Sequence, residues 1–250
     1  MTEAKLRCVF VHGWGMNHAV WQPVVQALPD WIEPLCIDLP GHGLAAQHSF
    51  ASLDDLVSAL RDQVTEPALW VGWSLGGLAV TQLALRFPEQ VRGLLLVANS
   101  PSFVARPGWS CGMPEAVFDG FAAELEQDYA TTIRRFLSLQ VKDSASGRQI
   151  LKTLRQKILQ LPAARMDALR AGLLLLKTTD LRSRLADLNM PVAWLLGGRD
   201  GLVNASLAQQ LDRLMPRASV TVIEQAAHAP FLSHGDAFNQ QLMAMAEKIV

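Results

Sequence analysis

The stretch Gly72-Trp73-Ser74-Leu75-Gly76 follows the short apolar run Ala68-Leu69-Trp70-Val71 and precedes a helix-like segment, Leu78 to Phe87. A serine between a buried strand and a helix, with a glycine two residues to either side, is the local pattern of a nucleophile elbow. Glycines there remove the Cβ atoms that would crowd so tight a turn, and Gly77 lets the following helix lie close to the strand it leaves. The bare pattern also suits a glycine-rich loop with a helix-capping serine, so the rest of the chain has to decide between the two.

A serine hydroxyl is a weak nucleophile at neutral pH. It needs a histidine to take its proton and a carboxylate to hold that histidine in the right tautomer, in the chain order Ser, acid, His for this kind of elbow. Val192 to Leu196 reads as a buried strand that leaves through Gly197-Gly198-Arg199-Asp200-Gly201, and Ser219 to Ile223 as a second one followed by Ala226-Ala227-His228-Ala229-Pro230. Asp200 and His228 therefore lie just past the carboxyl ends of strands, where open α/β sheets place reacting groups. Asp38, after an earlier strand, is the rival for the acid, but its position does not fit the chain order; Asp180 and Asp187 sit beside Arg182 and Arg184 as solvated charges. Of the other histidines, His18, His48 and His234 read as surface residues and His42 lies in a glycine turn.

Acyl transfer also needs donors for the developing oxyanion: the backbone N–H after the nucleophile and one from an earlier strand-end loop. Leu75 is expected to supply the first and Trp14 the second, since the apolar run Cys8 to Val11 ends in His12-Gly13-Trp14-Gly15. Gly41-His42-Gly43-Leu44-Ala45-Ala46 matches one form of a dinucleotide fingerprint, yet Asp38-Leu39-Pro40 separates it from its strand and a helix is expected only near Ser52. Nucleotide binding is therefore not expected.

Together, His12-Gly13-Trp14-Gly15, Asp38 to Gly43, Gly72 to Gly77, Gly198 to Val203 and Ala227-His228-Ala229-Pro230-Phe231 resemble the α/β-hydrolases. More closely, the chain is similar over nearly its whole length to the methyl ester esterases of biotin synthesis, including at Phe136-Leu137-Ser138-Leu139-Gln140 and Leu173 to Leu181. The resemblance implies a mostly parallel central sheet with helices on both faces, no cofactor, and a carboxylic ester hydrolase with a Ser74, Asp200 and His228 triad. It also implies a substrate carried by an acyl carrier protein, a dicarboxylate methyl ester whose ω-carboxylate is freed, with Phe136, Leu137, Ser138, Leu139 and Gln140 contacting the acyl chain. Only Met1 to Lys5 precede the first strand, so the leading antiparallel strands common in this fold are expected to be reduced.

Half of the 250 residues are hydrophobic and 18% are charged, which suits a sheet covered on both faces. No apolar run reaches the length of a membrane span or of a secretory signal core. Three cysteines, Cys8, Cys36 and Cys111, read as core thiols of a reducing cytoplasm, and no C-x-x-C or histidine pair at ligand spacing calls for a metal. The chain is expected to act as a monomer.

Strand-like runs fall at Leu6–Val11, Pro34–Asp38, Ala68–Gly72, Leu94–Ala98, Val192–Leu196 and Ser219–Ile223, with helical patterns between most of them, which argues for a parallel sheet. Pro101 to Arg184 shows only helical periodicity, at Ala116–Leu139, Ser146–Leu161 and Arg165–Lys177. The expected organisation is a core of residues 1–100 and 184–250 with a helical lid, 101–183, inserted in it.

That lid carries 12 Lys and Arg against 8 Asp and Glu, while the remainder carries 10 against 15. Between Arg134 and Lys157, seven basic residues face Asp143 alone, and Arg148, Lys152 and Arg155 recur at i, i+4 and i+7 on one helix face. Such a face can be the ordinary wet side of an amphipathic helix, but charged faces usually mix signs, and a single sign speeds the docking of an oppositely charged partner. A pI near 6.6 and the lack of an aromatic-rich basic groove argue against nucleic acid. An acidic acyl carrier protein, implied by the resemblance, is the expected partner of Arg134, Arg135, Arg148, Lys152 and Arg155. The alternatives are a general short-chain carboxylesterase and a ligand-binding protein on the same fold without turnover.

Overall fold

The computed structural model describes residues 5–128, 131, 132, 135, 138, 152, 158 and 160–250. Their six strands are β1 (Leu6–Val11), β2 (Ile32–Ile37), β3 (Ala68–Trp73), β4 (Val91–Val97), β5 (Val192–Gly197) and β6 (Ser219–Ile223). They form one sheet in the order β2-β1-β3-β4-β5-β6, with every neighbouring pair parallel. Continuous apolar sequence explains the middle of the sheet: β3 and β5 are buried at every position, as strands covered on both faces must be. At the edges, β2 and β6 are only partly buried, and β2 accommodates Pro34, whose missing N–H an edge strand tolerates.

The helices are α1 (Gln22–Gln26), α2 (Leu53–Arg61), α3 (Leu75–Arg86), α4 (Glu115–Gln127), α5 (Met166–Thr178), α6 (Leu207–Leu214), α7 (Pro230–Ser233) and α8 (Gly235–Ile249). A capping box starts α2, with Ser52 and Asp55 each satisfying the other's backbone N–H. From Gly41 to Ala46 there is no α-helix, only a single 3-10 turn at Gly43–Ala45, which removes the geometry a dinucleotide fingerprint requires.

The chain turns back on itself between β1 and β3: β2 lies on one side of β1 and β3 on the other. Loops leaving the carboxyl ends of those two strands diverge, and the crevice between them is where an open α/β sheet receives ligands. Val11 is level with Gly72, so the loop after β1 and the turn holding Ser74 start side by side.

Two expectations about residues 101–183 are corrected. Ala116–Leu139 is not one helix, because α4 stops at Gln127 and Asp128 leaves helical conformation with φ −146° and ψ 84°. Its side chain then accepts the N–H of Thr131 at 3.0 Å, so Asp128 starts the next helical stretch as a cap. Apolar periodicity runs through the break and conceals it. The segment is also not purely helical: Val104 and Met113 form a parallel β-bridge, with Ala105 N–H donating to the Met113 carbonyl at 2.9 Å and Met113 N–H to that of Phe103 at 2.7 Å.

Candidate active site

Ser74 joins β3 to α3 with φ 55° and ψ −117°, a conformation L-residues rarely adopt and one that costs about 1–3 kcal/mol. Neighbouring strands hold it there. Its N–H donates to the Val97 carbonyl at 3.0 Å, and its carbonyl accepts the Asn99 side-chain amide at 2.8 Å as well as the Leu78 N–H at 3.2 Å. The requirement for glycine is clearest at Gly76, where a Cβ would lie 2.5 Å from the His12 carbonyl oxygen and 2.6 Å from that of Val11. No side chain fits where α3 starts against the end of β1.

Asp200 occupies the turn after β5. One carboxylate oxygen accepts the N–H groups of Leu202 and Val203 at 2.8 and 3.0 Å; the other lies 2.8 Å from His228 Nδ1. Both side chains are buried. An ionised carboxylate only accepts, so Nδ1 carries the hydrogen and Nε2 is left as the acceptor. That Nε2 is buried without a hydrogen-bond partner among the described residues, and His228 and Ser74 line the same cavity. The Trp73 indole fixes the backbone at this point by donating to the His228 carbonyl at 2.8 Å.

Asp38 is occupied elsewhere. One oxygen accepts the backbone N–H of His18 at 2.5 Å, and the other accepts that of Leu44 at 2.8 Å and lies 2.7 Å from His18 Nδ1. His18 is therefore a half-buried partner of Asp38 and not the free surface residue expected from sequence. Burial by itself raises the Asp38 pKa, but the hydrogen bonds from His18 and Leu44 hold the carboxyl below its ordinary value. Beside it, His12 accepts the Leu39 N–H on Nε2 at 3.0 Å and meets the Gly13 carbonyl with Nδ1 at 2.8 Å. Burial, with His42 adding to it, lowers the His12 pKa to about 3, so this ring is neutral and ties the loop after β1 to the loop after β2.

Leu75 is the first residue of α3, and its N–H has no acceptor within the helix. Gly13 packs so closely on the elbow that a Cβ there would be 3.2 Å from Ser74 Cβ, which brings the following Trp14 beside the serine. Trp14 is buried and lines the cavity; its indole donates to the Leu169 carbonyl of α5 at 2.8 Å.

The cavity over Ser74 has a volume of about 280 Å³. Its walls are mainly apolar, formed by Phe103, Met113, Val117, Phe118, Phe121, Leu173, Leu176 and Leu202. At its rim Arg135 pairs with Glu124 at 2.9 Å, so the basic character of that position is partly answered by a neighbour from α4. Ser138 and Lys152 are exposed. Arg134, Phe136, Leu137, Leu139, Gln140, Arg148 and Arg155 lie outside the described residues. Among the described residues no three His, Cys, Asp or Glu side chains gather as metal ligands, and no helix is long and apolar enough to cross a membrane.

Asn99, Glu124 and the indole of Trp73 were not singled out from sequence. The contacts join residues 25 apart for Asn99 and Ser74, 155 for Trp73 and His228 and 11 for Glu124 and Arg135, and no local pattern marks them.

A parallel sheet with a serine on a strained turn after β3, an aspartate after β5 and a histidine after β6 is the arrangement of an α/β-hydrolase. Residues 8–241 match the alpha/beta hydrolase family. The chain is 42% identical over 234 residues to the pimeloyl-[acyl-carrier protein] methyl ester esterase of Aliivibrio salmonicida, covering 94% of this chain and 89% of that protein. It is likewise 42% identical over 240 residues to the protein of that name from Vibrio cholerae, covering 96% and 94%. An esterase structure from Exiguobacterium antarcticum superimposes with a TM-score of 0.86 at 18% identity, over 96% of this chain and 91% of that one, a likeness of fold alone. The chain belongs to the α/β-hydrolase family and, within it, to the family of these methyl ester esterases.

Proposed function

We propose that this chain is a serine carboxylesterase that hydrolyses the methyl ester of pimeloyl-[acyl-carrier protein], releasing methanol and the free ω-carboxylate. The observation that carries this reading is His228: Asp200 holds its Nδ1, and its unpartnered Nε2 and Ser74 line one apolar cavity. The substrate follows from the names of the relatives.

In this reading Ser74 Oγ attacks the ester carbonyl while His228 Nε2 takes its proton, and Asp200 stabilises the imidazolium. The N–H groups of Leu75 and Trp14 stabilise the oxyanion. Collapse breaks the bond to the methoxy oxygen, which leaves as methanol with the proton from His228. Water, deprotonated by the same Nε2, attacks the acyl-enzyme, and Ser74 regains its proton as the acid departs. The apolar walls suit the methylene chain of the acyl group. Residues 101–183 form a lid on the core of 1–100 and 184–250. Its Arg134, Arg135, Arg148, Lys152 and Arg155 receive the acidic carrier, and Phe136, Leu137, Ser138, Leu139 and Gln140 contact the acyl arm. Free thiols at Cys8, Cys36 and Cys111 fit work in a reducing cytoplasm.

The test is a side-by-side assay of a carrier-linked pimeloyl methyl ester and simple p-nitrophenyl esters. A kcat/KM that strongly favours the carrier-linked ester supports the reading. Equal or better turnover of the simple esters makes this a general carboxylesterase, and turnover of neither removes the catalytic assignment.

A further inference from the structure

Trp14 is attached to the inserted segment at three points. Its indole Nε1 donates to the Leu169 carbonyl of α5 at 2.8 Å, and its ring meets Phe121 of α4 edge-on with centroids 5.5 Å apart. The third point is Gly172, one helical turn beyond Leu169 on the same face of α5. A Cβ at Gly172 would lie 2.7 Å from Trp14 Cδ1, 3.3 Å from its Nε1 and 3.1 Å from Leu75 Cδ2. One position on α5 therefore touches both Trp14 and Leu75, and both side chains are fully buried. The start of α5 is bound to the loop after β2 as well: Arg165 N–H donates to the Gly41 carbonyl at 2.9 Å, so the helix is fastened close to the site.

We infer that α5 sets the position of the oxyanion donors, with Gly172 as a positioning residue and the indole of Trp14 as the lever between the inserted segment and the loop after β1. This rests on the reading of Leu75 and Trp14 N–H as those donors. Oxyanion stabilisation depends on donors held 2.7–3.1 Å from the developing charge. A displacement of a few tenths of an ångström is enough to weaken it, and the contacts of Gly172 leave less room than that. The bond from the indole to Leu169 prevents Trp14 from turning aside. The inserted segment thus acts on turnover as well as on access to the cavity.

Gly172→Ala and Trp14→Phe test this. On helix propensity alone Gly172→Ala stabilises α5, and Trp14→Phe keeps the backbone N–H and an aromatic ring while removing the indole donor. Both variants are to be compared with wild type on p-nitrophenyl butyrate, and for affinity toward two ligands of matched length. One is a trifluoromethyl ketone, which forms a tetrahedral adduct on serine; the other is a methyl ether, which does not. Expected is a fall in kcat of about 10- to 100-fold with KM changed by less than about twofold, less than the roughly 100- to 1000-fold loss on removing one oxyanion donor because the donors are displaced and not deleted. Ketone affinity should fall in step with kcat/KM and ether affinity should hold. A raised KM with unchanged kcat, or equal weakening of both ligands, makes Gly172 a mere wall of the cavity and overturns the inference. If Gly172→Ala does not fold, Trp14→Phe decides by the same criteria. Failure of the underlying reading looks different: wild type that the ketone does not inhibit, or Ser74→Ala that still turns over, would overturn both.

Discussion

His228 Nδ1 lies 2.8 Å from Asp200 Oδ2, with both side chains sealed from solvent, while the same carboxylate accepts two backbone N–H groups on its other oxygen. The turn after β5 thus occupies one oxygen of Asp200 and leaves the other for the ring, whose Nε2 has no hydrogen-bond partner among the described residues. Asp38 follows β2 at the opposite side of the sheet and has an equally full set of partners, none of them His228.

Replacing Asp200 by Asn should lower kcat by about four orders of magnitude, because an amide at this position favours the wrong imidazole tautomer. Asp38→Asn should instead lower the denaturation midpoint and leave kcat within about tenfold, since it disturbs the His18 and Leu44 contacts but not His228. Steady-state kinetics beside urea melts of both variants separate the roles, and the reverse ranking would assign the acid to Asp38.

Ser74→Ala should reduce turnover by about three or more orders of magnitude while leaving substrate affinity intact. Loss of the hydroxyl removes one oxygen and relieves no crowding, so the melting temperature should not fall. Retention of a tenth of wild-type activity would exclude Ser74 as the nucleophile.

Asn99→Ala should destabilise the protein by about 1–3 kcal/mol, the usual effect of deleting a buried hydrogen-bond partner. It should also lower kcat more than it raises KM, because the Ser74 carbonyl then keeps only the Leu78 N–H to hold the strained turn. A stability loss with unchanged kcat would confine Asn99 to packing.

Charge reversal at Arg135 and Lys152 to Glu should raise KM for a carrier-linked ester and flatten its dependence on ionic strength, since rim charges act chiefly on association. Turnover of a small uncharged ester should barely change. Equal losses on both substrates would show a damaged segment, and no loss on either would make these residues ordinary solvated charges.

Stability should fall on acidification from pH 7 to 4.5. Burial holds His12 at about 3 and lowers His42 as well, whereas the unfolded chain protonates both near 6.5. The unfolded state binds more protons below that value, so their contribution is fully present above pH 6.5 and is lost as pH falls toward the folded values, by up to about 1.4 kcal/mol per pH unit for each ring. The depressed Asp38 acts in the same direction but only below its ordinary 3.8, outside this window. Urea denaturation across the range should show the slope in wild type and a shallower one in His12→Gln; a flat wild-type profile would contradict neutral buried rings.

All six strands, the turns that bear Ser74, Asp200 and His228, and the loop that bears Trp14 were legible in the sequence, because each depends on neighbours in the chain. A strand buried on both faces must be an unbroken apolar run, as Ala68 to Trp73 is, and the glycines on either side of Ser74 mark the tight turn in the sequence. The chain order already pointed to Asp200 as the partner of His228, but tertiary structure alone decided that His18 faces Asp38, that Asn99 holds the Ser74 carbonyl, and that Gly172 presses on Trp14 and Leu75. Those pairings join residues tens to more than a hundred positions apart, and their energy comes from burial and from hydrogen bonds completed only when the sheet has closed. Periodicity and spacing carry no record of them, just as the apolar rhythm across Asp128 carried no record of the helix that ends there.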